Sequence, residues 1–174
     1  MAIRSTDART DTIREGDHIF TFNATEKKLK YFLSNGMMQW FVEARGEGSK
    51  SGFATDGDTP PGLYQLMDPQ WISVKDDHAR AVGRWFIPMQ PSISRTYVAN
   101  NRTDLGIHGG GSHLASPLSN QQGWETTRGC IRVQNEDLNK IAYAVQRALK
   151  SGSSVWLHVG WETVIDGKKI LQQY

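Results

Sequence analysis

Two aromatic-rich apolar runs joined through an Asn-Gly pair place the first limit on the fold. Lys28-Leu29-Lys30-Tyr31-Phe32-Leu33 and Met38-Gln39-Trp40-Phe41-Val42-Glu43-Ala44 flank Ser34-Asn35-Gly36. An Asn-Gly turn takes positive φ at both positions and sends the chain back along itself, so this spacing predicts a β-hairpin. His18-Ile19-Phe20-Thr21-Phe22 is a similar run just upstream, and the three together read as an antiparallel meander. Residues 1–16 are polar without apolar periodicity and read as a loose N-terminal arm, which leaves 17–174 as one domain.

The remaining chain continues in this manner, with one clear exception. Arg45 to Asp58 is rich in Gly, Ser and charge and reads as an exposed loop, ended by the rigid turn Thr59-Pro60-Pro61-Gly62 before a short strand, Leu63-Tyr64-Gln65-Leu66. Ile72 to Val82 fits neither period and is left unassigned. Ser94 to Ala99, Asp104 to His108, Cys130 to Val133 and Ser154 to Val159 are strand candidates, and Asp166-Gly167 marks a last hairpin reaching Ile170-Leu171. The exception lies at about 135–150, where Leu138, Ile141, Ala142, Val145, Ala148 and Leu149 share one helical face. Asn135 is placed as its N-cap, Glu136 and Asp137 suit its dipole, and Ser151-Gly152 ends it. The fold expected is mainly β, sandwich- or barrel-like, with one main α-helix. From Gly109 to Thr126 no period is visible, and a loop that long inside a compact domain is often functional.

Composition removes several classes. The net charge is +2, and Lys and Arg are scattered without a basic run, which gives no support for nucleic-acid binding. One cysteine allows no internal disulfide. No apolar run of about 18 residues exists, so no membrane span is expected, and the first ten residues lack the apolar stretch of a signal peptide. His108 and His113 stand at neither helical nor zinc-binding spacing, so no metal or other cofactor is expected.

That single cysteine, Cys130, follows Gly129 and lies between Arg128 and Arg132. A lone cysteine is often a small inert core residue, whereas a thiol at a glycine turn with cationic neighbours is where a reactive thiolate can form. A nucleophilic thiol needs a base, and His108 is the best placed of the five histidines, because it ends an apolar strand and leads into Gly109-Gly110-Gly111. His113 is a weaker candidate, His18 and His158 fall within strand patterns, and His78 beside Asp76 and Asp77 reads as solvated. Backbone N–H groups of Gly129 and Cys130 suit an oxyanion hole. Arg132, two residues along the strand, shares a face with Cys130. Two readings of it stand: a thiolate or substrate-carboxylate contact, or a structural ion pair with an acid such as Asp137.

Taken together, His108-Gly109-Gly110, the sixteen residues Gly111 to Thr126, and then Thr127-Arg128-Gly129-Cys130-Ile131-Arg132 resemble the signature of the YkuD-like L,D-transpeptidases. Thr59-Pro60-Pro61-Gly62-Leu63-Tyr64 is similar to the family's upstream Thr-Pro segment, and Asn135 and Asp137 match the tail of the motif. Arg128 departs from the pattern, since the family most often has His there. The resemblance covers roughly residues 17 to 160. It implies Cys130 as nucleophile, His108 as general base, and Gly109 orienting His108 through its carbonyl. Gly129 and Cys130 would form the oxyanion hole, and Arg132, Arg128, Thr127, Trp124 and Tyr97 would contact substrate.

The implied substrate is the peptidoglycan stem peptide, and the implied chemistry is acyl transfer through a Cys130 thioester. That thioester would pass to an amine, to water or to a free D-amino acid, in the periplasm or cell wall. Without a signal peptide in this stretch, either a leader lies outside it or export by another route is expected, including delivery as an antibacterial effector with its own immunity or secretion partner. The alternative is a non-catalytic wall-binding module in which Trp85, Trp124 and Tyr97 grip the wall and Cys130 is inert.

Overall fold

A computed structural model describes residues 13–33, 35–48, 57–96, 104–160, 162–165 and 168–171, with 93–96, 162–165 and 168–171 described as backbone. The meander is present as β1 (His18–Asn23), β2 (Lys28–Phe32) and β3 (Met38–Arg45), paired antiparallel in sequence order. Its turn differs from expectation. Of Asn35 and Gly36 only Gly36 takes positive φ, at 79°; the Leu33 N–H bonds the Met37 carbonyl at 3.1 Å and the Gly36 N–H bonds Leu33 at 2.9 Å. The Asn35 side chain accepts from the Met37 N–H at 2.9 Å, so Asn35 shapes this longer loop through its amide and not through a left-handed backbone.

Six further strands complete the main sheet: β4 (Gly62–Leu66), β5 (Gln70–Trp71), β6 (Trp85–Thr96), β7 (Gly106–His108), β8 (Ile131–Val133) and β9 (Val155–Gly160). The strand order is β4-β9-β1-β2-β3-β8-β7-β6-β5, and β4 also pairs with β6, which closes the sheet into a barrel. Closure depends on the length of β6. Its first half pairs β5 and β7 through Phe86, Ile87 and Pro88, and its second half pairs β4 from Met89 onward. The strand expected from Ser94 therefore begins nine residues earlier, and 97–99 lie outside the described residues. Closing a sheet removes the unpaired edges that an open one must protect.

The helix is α2 (Asn135–Lys150), and Leu138, Ile141, Ala142, Ala144, Val145 and Ala148 are its buried face. Its N-cap is Gln134 and not Asn135, whose side chain is engaged elsewhere. The segment left unassigned holds the five-residue α1 (His78–Val82), too short to show a period. The last hairpin forms as β10 (Glu162–Ile165) and β11 (Lys168–Leu171). Of the expected N-terminal arm, 1–12 lie outside the described residues and 13–16 are exposed. Among the described residues no helix is long and apolar enough to cross a membrane.

Candidate active site

Two short parallel strands carry the site. β7 and β8 are in register with Ile107 opposite Ile131 and His108 opposite Arg132. Ile107, Ile131 and Val133 are fully buried in the apolar core, so alternation turns His108, Cys130 and Arg132 to the other face of the sheet. Extending the register by one residue sets Gly106 beside Cys130. A Cβ on Gly106 would lie 2.4 Å from Phe86 Cζ, so the bare glycine gives that ring its place. Phe86 in turn is the β6 partner of His108 and stacks on it, with centroids 6.2 Å apart at 26°.

The His108 ring is oriented by its own neighbour. Nδ1–H donates to the Gly109 carbonyl at 2.7 Å, which fixes the tautomer with Nε2 as the basic nitrogen. Burial first, then the Arg132 charge, depress its pKa from the usual 6.5 to about 4, against the opposing pull of the Gly109 carbonyl. The ring is therefore a neutral base at physiological pH. His78, expected to be solvated, is exposed at the start of α1, and its charge adds a smaller push in the same direction.

The peptide that orients His108 is itself held at several points. The Gly110 N–H donates to Asn135 Oδ1 at 3.1 Å, and the Arg132 guanidinium donates to the Gly110 carbonyl. Polarising a peptide at its N–H strengthens its carbonyl as an acceptor, so Asn135 reinforces the Gly109–His108 bond across the same peptide unit. α1 closes over the same turn: the Gly109 N–H bonds Val82 at 2.9 Å and the Gly111 N–H bonds Arg80 at 2.8 Å. Gly110 has φ +59°, and a Cβ there would lie 2.5 Å from Gly83 N. The bare glycine here makes room for α1.

Cys130 is half-buried, and its S–H is aimed at the Asp104 carbonyl at 3.7 Å. Its own carbonyl accepts from Thr127 Oγ1 at 2.7 Å and from Thr59 Oγ1 at 3.2 Å. The Thr-Pro segment thus reaches the Cys130 backbone from 71 residues away. Gly129 takes φ +107° in this turn, and its N–H points to Thr127 Oγ1 at 3.3 Å.

The model of the L,D-transpeptidase catalytic domain family, YkuD, matches residues 17–165. The chain belongs to this family. No curated protein matches it. Among solved structures it is similar to the helical cell shape determining protein Pgp2 from Campylobacter jejuni, with 21% identity and TM-score 0.54, covering 88% of this chain and 50% of that one. It is also similar to Bdellovibrio bacteriovorus Bd1075, with 18% identity and TM-score 0.53, covering 88% and 49%. These likenesses show the fold, and the chain spans about half the length of those two proteins.

The other expected site residues of this L,D-transpeptidase domain divide by depth. Arg132 is 3% exposed; it reaches Glu125 at 3.6 Å as well as Gly110, so its acidic partner is Glu125 and not Asp137. Thr127 is buried, with its hydroxyl in the cysteine turn. Arg128 is exposed, and Trp124 is half-buried beneath Arg45, whose guanidinium lies 4.5 Å over the ring. Tyr97 lies outside the described residues. Trp85, offered for surface gripping, is 7% exposed, and its indole N–H is bound by Asn139 at 3.1 Å. That expectation is corrected: Trp85 faces the core.

Sequence reasoning missed the groups that hold the loop after His108. Gln122 donates to the Val133 carbonyl at 2.8 Å and accepts from the Asn135 N–H at 2.7 Å. Gln134 accepts from the Gly123 N–H at 3.2 Å, and Asn135 Nδ2 donates to Pro117 and Ser119 carbonyls at 2.9 and 2.7 Å. Three amide side chains thus fix a segment that has no regular structure. No periodic signal marks them, since each bonds backbone distant in sequence.

Proposed function

We propose that this domain catalyses acyl transfer on peptidoglycan stem peptides through a Cys130 thioester, with His108 as general base. One observation carries the reading above all: a buried, neutral histidine, its tautomer set by Gly109, on the same sheet face as the only cysteine and one strand away.

As Cys130 Sγ attacks the carbonyl carbon of an L,D-peptide bond, its proton leaves the Asp104 carbonyl for His108 Nε2. The tetrahedral oxyanion takes N–H bonds from Cys130 and Gly129. For Gly129 this exchanges a 3.3 Å contact with a neutral hydroxyl for a charged acceptor, which binds more strongly. The C–N bond breaks, and His108 returns the proton to the departing D-amino acid amine. An acceptor amine then loses a proton to His108 and attacks the thioester, giving a crosslink and regenerating the thiol; water in its place gives L,D-carboxypeptidase activity. Arg132 and Thr127 act from beneath, holding Gly110 and the cysteine turn, while Arg128 and Trp124 border the substrate.

The test is incubation of the protein with disaccharide-tetrapeptides, followed by mass spectrometry of protein and products. We expect a tripeptide acyl adduct on Cys130, release of the terminal D-amino acid, and neither with Cys130→Ala. An unmodified Cys130 together with unchanged substrate would sink the proposal. The ratio of crosslinked dimer to free tripeptide product reports the acceptor.

A further inference from the structure

A cleft of about 350 Å³ opens beside the N-terminal half of α2, lined in part by Trp71, Arg84, Asn120, Asn139 and Tyr143. Its aromatic walls are unusually open: Trp71 is 55% and Tyr143 60% exposed. Both rings rest edge-on against the buried Trp85, at 5.0 Å and 75° for Trp71 and 6.0 Å and 72° for Tyr143. One core residue thus sets the angle of both walls. The same Trp85 donates to Asn139 Oδ1 at 3.1 Å, which fixes that amide and leaves its NH₂ without a partner among the described residues. Arg84, also lining the cleft, is exposed and makes no ion pair among the described residues. The site therefore offers two exposed aromatic faces and two sets of hydrogen-bond donors.

A ligand that suits this set has an apolar C–H face for stacking and a rim of neutral oxygen acceptors. A pyranose ring has both. Size agrees, since the volume stands near the lower end for small-ligand pockets and fits a short saccharide, not a folded partner. A nucleic acid strand would ask for a track of several cations, and one arginine does not make one.

We propose that this cleft binds a glycan of N-acetylated amino sugars, with Trp71 and Tyr143 stacking on sugar rings and Asn139 and Arg84 donating to acetamido and hydroxyl oxygens. The choice of N-acetylated sugars rests on the peptidoglycan reading above; the saccharide chemistry of the cleft does not. The cleft joins the catalytic turn through one side chain, because Asn135 lines it and also holds the Gly110 amide. A glycan strand held here would deliver its stem peptides to Cys130 repeatedly.

Titration of the ¹⁵N-labelled domain with chitotetraose, which has no peptide, separates this proposal from the acyl-transfer reading. We expect saturable shifts of the Trp71 indole N–H, weakened about tenfold in Tyr143→Ala and in Arg84→Gln, with dispersed spectra showing that both variants are folded. Tyr143 and Arg84 are exposed, so neither change opens the core. No saturable shift with chitotetraose or with amidase-stripped glycan strands overturns the proposal, as does equal affinity in both variants. Either result leaves the thioester experiment unaffected.

Discussion

The fold keeps the His108 ring neutral. Its pKa of about 4 in the folded chain, against 6.5 as its ordinary value, means that the unfolded chain binds the proton more readily between those two values. Stability is then fully present above pH 6.5, declines as pH falls toward 4, and the loss levels off below. The difference amounts to roughly 3 kcal/mol from this residue, and His18 and His158, also lowered by burial, act in the same direction. Urea denaturation at pH 4.0, 5.0 and 7.0, chosen about these values, should show His108→Gln with a visibly flatter dependence than the native chain. Equal slopes would mean that another group dominates. In the same way, the acid limb of kcat/KM should fall near 4, well below the ordinary histidine range.

Asn135 makes a sharper residue-scale prediction. Its amide accepts from Gly110 and donates to Pro117 and Ser119, so it holds the peptide whose carbonyl orients His108. Asn135→Leu should lower kcat roughly 10- to 100-fold, since small misplacements of a catalytic group are costly, with little change in KM. Asn135→Asp keeps an acceptor for Gly110 and should recover part of kcat. A rise in KM with kcat unchanged in both variants would assign Asn135 to substrate binding instead.

At the scale of elements, α1 and the glycine turn behave as one unit. Gly110→Ala places a Cβ against the backbone of Gly83 and Val82 at left-handed φ, so we expect about 3 kcal/mol of destabilisation with loss of acyl transfer. Gly152→Ala is the control: φ is +83° but nothing lies within 4 Å, and a cost of about 1 kcal/mol is expected from the backbone alone. Similar thermal melts for the two would show that α1 yields to the added methyl. This docking was hidden in the sequence because five helical residues carry no period. The strands and α2 were legible because alternation and the 3.6-residue period report burial directly, as at Leu138, Ile141 and Val145. Only the end of β6, from Ser94, was read, because Pro88 and Pro91 obscure a strand that a barrel needs to be long. For the candidate site, residue type and spacing pointed to Cys130 and His108, and the fold sets the two on one sheet face. The amides of Gln122, Gln134 and Asn135 could not, because their partners are backbone groups that only the folded chain brings near.

At the scale of the molecule, the barrel is joined where β1 meets β9. β1 runs parallel to β9, from His18 opposite Val155 to Asn23 opposite Gly160, and no hairpin sets that register. Asp17 does so instead. Its buried carboxylate accepts from the Ser154 N–H at 3.1 Å, the Trp156 indole N–H at 3.0 Å and the Arg14 N–H at 2.8 Å. Two of these bonds span more than 130 residues, so they form only when the barrel closes. Asp17→Ala leaves three donors without their acceptor, two of them on the β9 side, and should cost about 3 kcal/mol, the bonds being charge-assisted and partly replaced by water. Pairing β1 with β9 closes the longest loop in the sheet and carries the largest closure cost, so we expect the loss to appear mainly as faster unfolding, with the folding rate little changed. Stopped-flow measurement in urea distinguishes the outcomes: a raised unfolding limb with an unmoved folding limb places this clasp after the rate-limiting step. A depressed folding limb would show instead that β1 and β9 meet early and that the barrel is built outward from the seam.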